Sequence, residues 1–97
     1  MATYQKGVFA ISVAADMVRM EVQNLRVYER RGLLRPDRTA GGTRLYSQAD
    51  IDTLNRIREL LADGLNLAGI RRVLALEAEV RRLSAALEHA DESARAR

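Results

Sequence analysis

Val73, Leu76, Val80, Leu83, Leu87 and Ala90 recur at alternating spacings of three and four residues. That spacing is the a/d stripe of a coiled coil, and arginine and glutamate surround it here. Within residues 67–89 the only helix breaker is Gly69, near the start. About 22 residues of helix would be about 33 Å long. A chain of 97 residues has little interior in which to bury such a stripe. Ile70 and Leu74, at its beginning, can pack back on the preceding helix as ordinary core. The later positions have nothing left to pack on. The expectation is a C-terminal helix over 67–90 whose Val73, Leu76, Val80, Leu83 and Leu87 form a seam with a second copy of the chain. The polar tail, 91–97, is expected to fray.

The residue inventory argues against an enzyme. There is no cysteine and one histidine, His89, near the end of the last helix. No disulfide, thiolate nucleophile or zinc constellation can be assembled from that set. The acids are spaced as helix-surface residues, not clustered, so neither metal nor cofactor is expected. No apolar run approaches the roughly 18 residues of a membrane span, and the polar start, Met1 to Gly7, is unlike a signal peptide. The reading is a soluble, cytoplasmic protein.

Charge is distributed unevenly. The net charge is +3, and fifteen of the sixteen basic residues are arginine. Arg19, Arg26, Arg30, Arg31, Arg35, Arg38 and Arg44 face only Glu21, Glu29 and Asp37 in the stretch 19–46, a local excess of four. From Ile51 onward eight bases meet eight acids. Concentrated arginine points to a polyanion, most often nucleic acid.

Hydrophobic spacing divides the basic stretch into elements. Ser12 is suited to cap a first short helix with Val13, Met17 and Met20 on its apolar face. Val22, Leu25 and Tyr28 mark a second helix that stops at Gly32. Two short helices joined by a tight turn make a helix-turn-helix. Pro36 and Gly41-Gly42 break helix, so residues 33–46 read as a hairpin wing carrying Arg35, Arg38 and Arg44, with Thr39 and Thr43 flanking the tip. Ser47-Gln48-Ala49-Asp50 is a capping box. It opens a third helix with Ile51, Leu54, Ile57, Leu60 and Leu61 inside. Gly64 ends that helix and Asn66 caps the last.

The fold class is therefore mainly α: a winged helix-turn-helix over 11–66, an N-terminal arm over 1–10, and the coiled-coil helix. Gln23 and Asn24 can each read adenine through paired hydrogen bonds, and arginine reads guanine in the same way. A glycine-tipped wing brings backbone and arginine near phosphates. The candidate DNA contacts read from the residues are Gln23, Asn24, Arg26 and Arg30 on the second helix and Arg38, Thr39, Gly42, Thr43 and Arg44 on the wing. Two other classes stay open: a coiled-coil adaptor that no longer reads DNA, and a non-specific architectural DNA binder.

Asn24-Leu25-Arg26-Val27-Tyr28-Glu29-Arg30-Arg31-Gly32-Leu33-Leu34 resembles the recognition-helix signature of the MerR family of bacterial transcription regulators. Thr39-Ala40-Gly41-Gly42-Thr43-Arg44-Leu45-Tyr46-Ser47 resembles that family's wing. The likeness covers about Ile11 to Leu76. Ile11-Ser12-Val13-Ala14-Ala15, the stretch from Pro36 to Gly42, and Asn66-Leu67-Ala68-Gly69-Ile70 resemble its HspR-like heat-shock repressor branch. The resemblance implies a homodimer joined by an antiparallel coiled coil, each protomer reading one half of an inverted repeat in double-stranded DNA. It places Gln23, Asn24 and Arg26 on the groove-facing helix, Tyr28 near phosphate contacts, and Arg44 and Tyr46 among the wing residues that hold phosphates. It also implies a nucleoid-associated repressor of a chaperone operon with a DnaK-type chaperone as co-repressor. The chain ends soon after the coiled coil, so no small-molecule effector is expected. Two positions depart from the pattern: the family usually has threonine where Asn24 stands, and the branch has paired arginines where this chain has Arg44-Leu45.

Overall fold

The computed structural model describes residues 2–96. After a single 3-10 turn, Ala2–Gln5, come α1 (Ile11–Val18), α2 (Val22–Arg30), β1 (Asp37–Arg38), β2 (Arg44–Leu45), α3 (Gln48–Ala62) and α4 (Leu67–Arg95). Among the described residues no helix is long and apolar enough to cross a membrane.

The first helix is built differently from the expectation. Its N-cap is Ala10, with no side-chain bond, and Ser12 lies inside the helix. Ala14, Ala15 and Val18 are its buried residues, whereas Val13 and Met17 are exposed. Small side chains on the inner face let α1 lie close to its neighbours, and the bulkier pair is left outside. Arg19 then takes a left-handed conformation, φ 55°, and its N–H caps Ala15 and Asp16. That geometry costs a non-glycine residue about 1–2 kcal/mol. It turns the chain into α2 within three residues. Leu25 and Tyr28 bury the inner face of α2, and Gly32, at φ 77°, ends it in the left-handed conformation that glycine adopts most readily.

The wing is an antiparallel pair, Asp37 opposite Leu45 and Arg38 opposite Arg44. Ser47 closes the capping box of α3: its hydroxyl accepts from the Asp50 N–H at 3.0 Å, and its own N–H donates to Asp50 at 2.9 Å. Ile51, Leu54, Ile57 and Leu60 are buried. Leu61 is exposed, contrary to expectation. The inner face of α3 follows spacings of three, so Leu60 takes the last core position and Leu61 falls on the flank.

Asn66 caps α4 through the Gly69 N–H at 2.8 Å. The helix is continuous over 29 residues, about 44 Å at the standard rise. It runs to Arg95 instead of fraying from 91, and an Arg95–Asp91 ion pair at 2.6 Å spans its final turn. Only its first turns meet the core. Ile70 is fully buried, and Val73 and Leu74 are partly buried against the same cluster. Val73 is thus spent largely on its own chain and is not a free seam residue. From there the stripe is bare: Leu76, Val80, Leu83 and Leu87 are 64%, 61%, 49% and 72% exposed. Arg56 on α3 pairs with Glu77 on α4, with Nη2–Oε2 at 2.6 Å. An open groove of about 600 Å³ lies beside this pair, between the N-terminal turn, α3 and α4.

Residues 4–9 are tied to the rest of the domain. The Tyr4 hydroxyl donates to Asp52 at 2.5 Å, the Gly7 N–H donates to Asp37 at 2.9 Å, and Phe9 pairs with Tyr46 in an antiparallel bridge. Gly7 is wedged so tightly that an added Cβ would lie 2.4 Å from the Leu45 carbonyl oxygen and 2.9 Å from Asp37 Cβ. The first neighbour is backbone and cannot swing aside. Gly7→Ala is expected to push the arm off the wing and to cost about 1–3 kcal/mol. At fixed protein concentration the thermal midpoint should fall by at least about 5 °C.

Candidate nucleic-acid interface

The second helix has one inner and one outer side. Leu25 and Tyr28 point inward, while Gln23, Asn24 and Arg30 are exposed and Arg26 is half-buried. Gln23, Val27 and Arg30 follow one another at spacings of four and three, so they lie along one line of the helix. Two amides at the start of that face and arginines beyond it supply the donors and acceptors that base edges require. Among the described residues Arg26, Arg30, Arg31 and Arg35 have no acidic partner. Their charge is directed to solvent or to a ligand.

At the wing tip Thr39, Gly42 and Thr43 are exposed. The tip is held from within. The Gly42 N–H donates to the Thr39 carbonyl at 2.9 Å, and the Thr43 N–H donates to the Thr39 hydroxyl at 3.1 Å. Gly42 sits at φ 87°, where a side chain would strain the turn. The backbone donors of Gly42 and Thr43 are therefore already committed. What the wing offers an anion is its arginines and its threonine hydroxyls.

Those arginines converge on an acid that sequence reasoning did not single out. Glu29, on α2, accepts from Arg38 Nη2 at 2.9 Å on one carboxylate oxygen and from Arg44 Nε on the other. Arg38 Nη1 also donates to the Gly42 carbonyl at 2.9 Å. One side chain therefore ties both strands of the wing to the second helix. No sequence spacing announces this, because the partners lie nine and fifteen residues away across a turn. Only the closed hairpin brings them together.

Tyr46 is not at the surface. It is fully buried, and its hydroxyl is the one described side-chain polar atom that is both sealed and without a partner. This corrects its expected role as a phosphate contact. The reason is local: Tyr46 directly precedes the Ser47 N-cap, the position whose side chain packs against the fourth helical residue, here Ile51. Both belong to the core cluster. Burial, reinforced by the Glu29 charge, holds its phenol pKa above the usual value. Tyr28 is also a core residue, 6% exposed, so it cannot present its ring to DNA.

Burial pushes the Glu29 carboxyl up, but the hydrogen bonds and charges of Arg44 and Arg38 outweigh it and hold its pKa below the ordinary 4.5. A group depressed in this way contributes stability that is complete above the unfolded pKa and vanishes as pH falls through the folded one. The wing tie is thus expected to persist through the neutral range and to release only in acid, below pH 4.5. A carbon-detected NMR titration of the Glu29 carboxyl should place its midpoint under that value. A midpoint above it would mean that the arginines are not engaged.

Residues 9–77 match the model of the MerR HTH family of regulatory proteins. The chain is 48% identical over 84 residues to the putative heat shock protein HspR of Streptomyces coelicolor, covering 86% of this chain and 56% of that protein. It is 41% identical over 69 residues to the HTH-type transcriptional regulator GlnR of Bacillus anthracis, covering 71% and 54%. The chain therefore spans about half the length of these curated relatives. Among solved structures, a MerR-family transcriptional regulator from Bacillus cereus superposes with a TM-score of 0.65 at 30% identity, covering 87% of this chain and 78% of that one. The family is one of regulators and not of enzymes.

Proposed function

Because the chain belongs to the MerR HTH family of regulatory proteins, we propose that it is a sequence-specific DNA-binding regulator, a homodimer that reads an inverted repeat and represses a chaperone or stress operon. The observation that carries this reading is the outer face of α2, where Gln23, Asn24, Arg26 and Arg30 stand clear of the core beside a wing tied to the same helix by Glu29. In this reading α2 enters the major groove, and Gln23, Asn24 and Arg30 meet base edges. Arg38, Arg44, Thr39 and Thr43 hold backbone phosphates, which position the head without reading sequence. Leu76, Val80, Leu83 and Leu87 join two heads, so the two-fold symmetry of the protein is matched by that of the site. The heat-shock assignment rests on likeness to HspR of Streptomyces coelicolor, and a DnaK-type chaperone as co-repressor belongs to the same reading.

The test is binding to promoter DNA of the organism's own chaperone operon and to random duplex of equal length, with and without a DnaK-type chaperone, through a temperature ramp. A regulator should prefer the promoter by about a thousandfold or more, with the chaperone strengthening that binding and heat weakening it. Equal binding to both duplexes would leave an architectural protein. Binding to neither would leave an adaptor. Promoter binding indifferent to chaperone and temperature would remove the heat-shock role and keep the regulator.

A further inference from the structure

Glu29 is the only acidic side chain paired with the wing arginines among the described residues. It stands in a stretch that otherwise carries a strong excess of arginine. Stability is a poor reason for it to be there, because partly exposed ion pairs contribute about 0–1 kcal/mol each. Gross affinity is no better a reason. A carboxylate facing DNA subtracts from the sequence-independent attraction that every arginine adds.

What Glu29 does supply is a fixed relation between the two DNA-facing elements. Its two oxygens take one arginine from each strand of the wing. Arg44 is held through Nε, which leaves both of its terminal nitrogens free of any partner among the described residues. Arg38 is held at both ends, by Glu29 and by the Gly42 carbonyl at the tip. Glu29 itself is 18% exposed, so the joint sits inside the angle between wing and helix and not at its outer edge.

We propose that Glu29 is a positioning residue for sequence discrimination: by locking Arg38 and Arg44 to α2, it lets the wing reach phosphates only when that helix is correctly seated. It rests on the reading of α2 and the wing as the DNA-binding face. In random DNA the helix has no preferred seat, and a rigid wing makes its phosphate contacts poorly. In the operator, helix and wing fit together. Freed arginines would follow phosphates wherever the helix sits, so the penalty on wrong sequences would shrink.

The consequence is a split of sign. Glu29→Gln keeps the size of the side chain and removes its charge. It should raise affinity for random duplex severalfold, through one added positive charge per protomer, and steepen the salt dependence. Affinity for the selected operator should stay level or fall. The operator-to-random ratio should drop about tenfold, within the range of coupling between contacting residues. Arg38→Gln, at a more exposed position, opens only one half of the joint. It should lower the ratio less, and it should add little in the double variant with Glu29→Gln.

The joint can also be watched without DNA. In the free protein the Nε–H of Arg44 should give a protected NMR resonance that Glu29→Gln abolishes. That readout separates the joint from the DNA-binding reading. A wild-type protein with no sequence preference would overturn the function and this role together, even with the resonance present. If Glu29→Gln lowers operator and random affinity by the same factor, or changes neither, Glu29 is a structural residue and the proposal fails. Should Glu29→Gln not fold, Arg38→Gln decides: an unchanged ratio in that variant overturns it.

Discussion

Replacing both Val80 and Leu83 with aspartate is expected to leave a folded monomer that no longer holds its operator. Val80 and Leu83 are 61% and 49% exposed on their own chain, so the protomer loses almost no core. Circular dichroism should show nearly unchanged helix. In the proposed dimer the same positions would form the middle of the seam. Each buried Val or Leu contributes about 1.5–3 kcal/mol, and a symmetric pair loses four such side chains and gains four buried charges. The dimer dissociation constant should rise by at least about a thousandfold. Operator affinity should follow, because a second head on the same duplex is worth about 10²–10⁴ through effective concentration. Ultracentrifugation checks the first part and operator titration the second. A variant that remains dimeric would move the interface elsewhere.

Gln23→Ala and Asn24→Ala are expected to change which sequence is bound more than how tightly DNA is bound overall. Both side chains are exposed at the start of α2 and neither supports the core, so stability should be unaffected. Each bidentate contact to a base is worth about 1–3 kcal/mol of discrimination, or about 5–150-fold at one base pair. The loss appears twice in a site read by two heads. Random-duplex affinity and its salt slope should hold, since no phosphate contact is removed. Arg44→Ala, on the wing, should weaken binding to every duplex and flatten the salt slope. If the selected motif is unaltered in both amide variants, Arg26 and Arg30 are left as the readers on this helix.

Much of the fold is legible in the chain because its signals are local. Ser47 and Asp50, Asn66 and Gly69, and the glycines after α2 and α3 act within a few residues, and each stands where the sequence places it. The bare stripe from Leu76 to Leu87 was visible as a spacing with no partner to meet it. Elsewhere the sequence misleads where a side chain's size stands in for its position. In α1 the core residues are Ala14, Ala15 and Val18, and Val13 and Met17 lie outside it. Tyr46 resembles a phosphate contact by its place in the wing, yet it serves as the staple in front of α3. The anchors of the arm, Asp37, Asp52 and Tyr46, lie thirty or more residues away, so no local signal announces them. Glu29 is hidden for the same reason, since its role exists only once the hairpin has closed.

In the proposed complex two identical heads, joined through α4, read DNA with their second helices. Selection of bound sequences from a random duplex pool, using the intact protein, tests it in one step. The expected result is an enriched inverted repeat whose half-sites lose definition when Gln23 or Asn24 is replaced and whose pairing is lost with Val80→Asp and Leu83→Asp. A pool that enriches nothing, or a motif without two-fold symmetry, would contradict it.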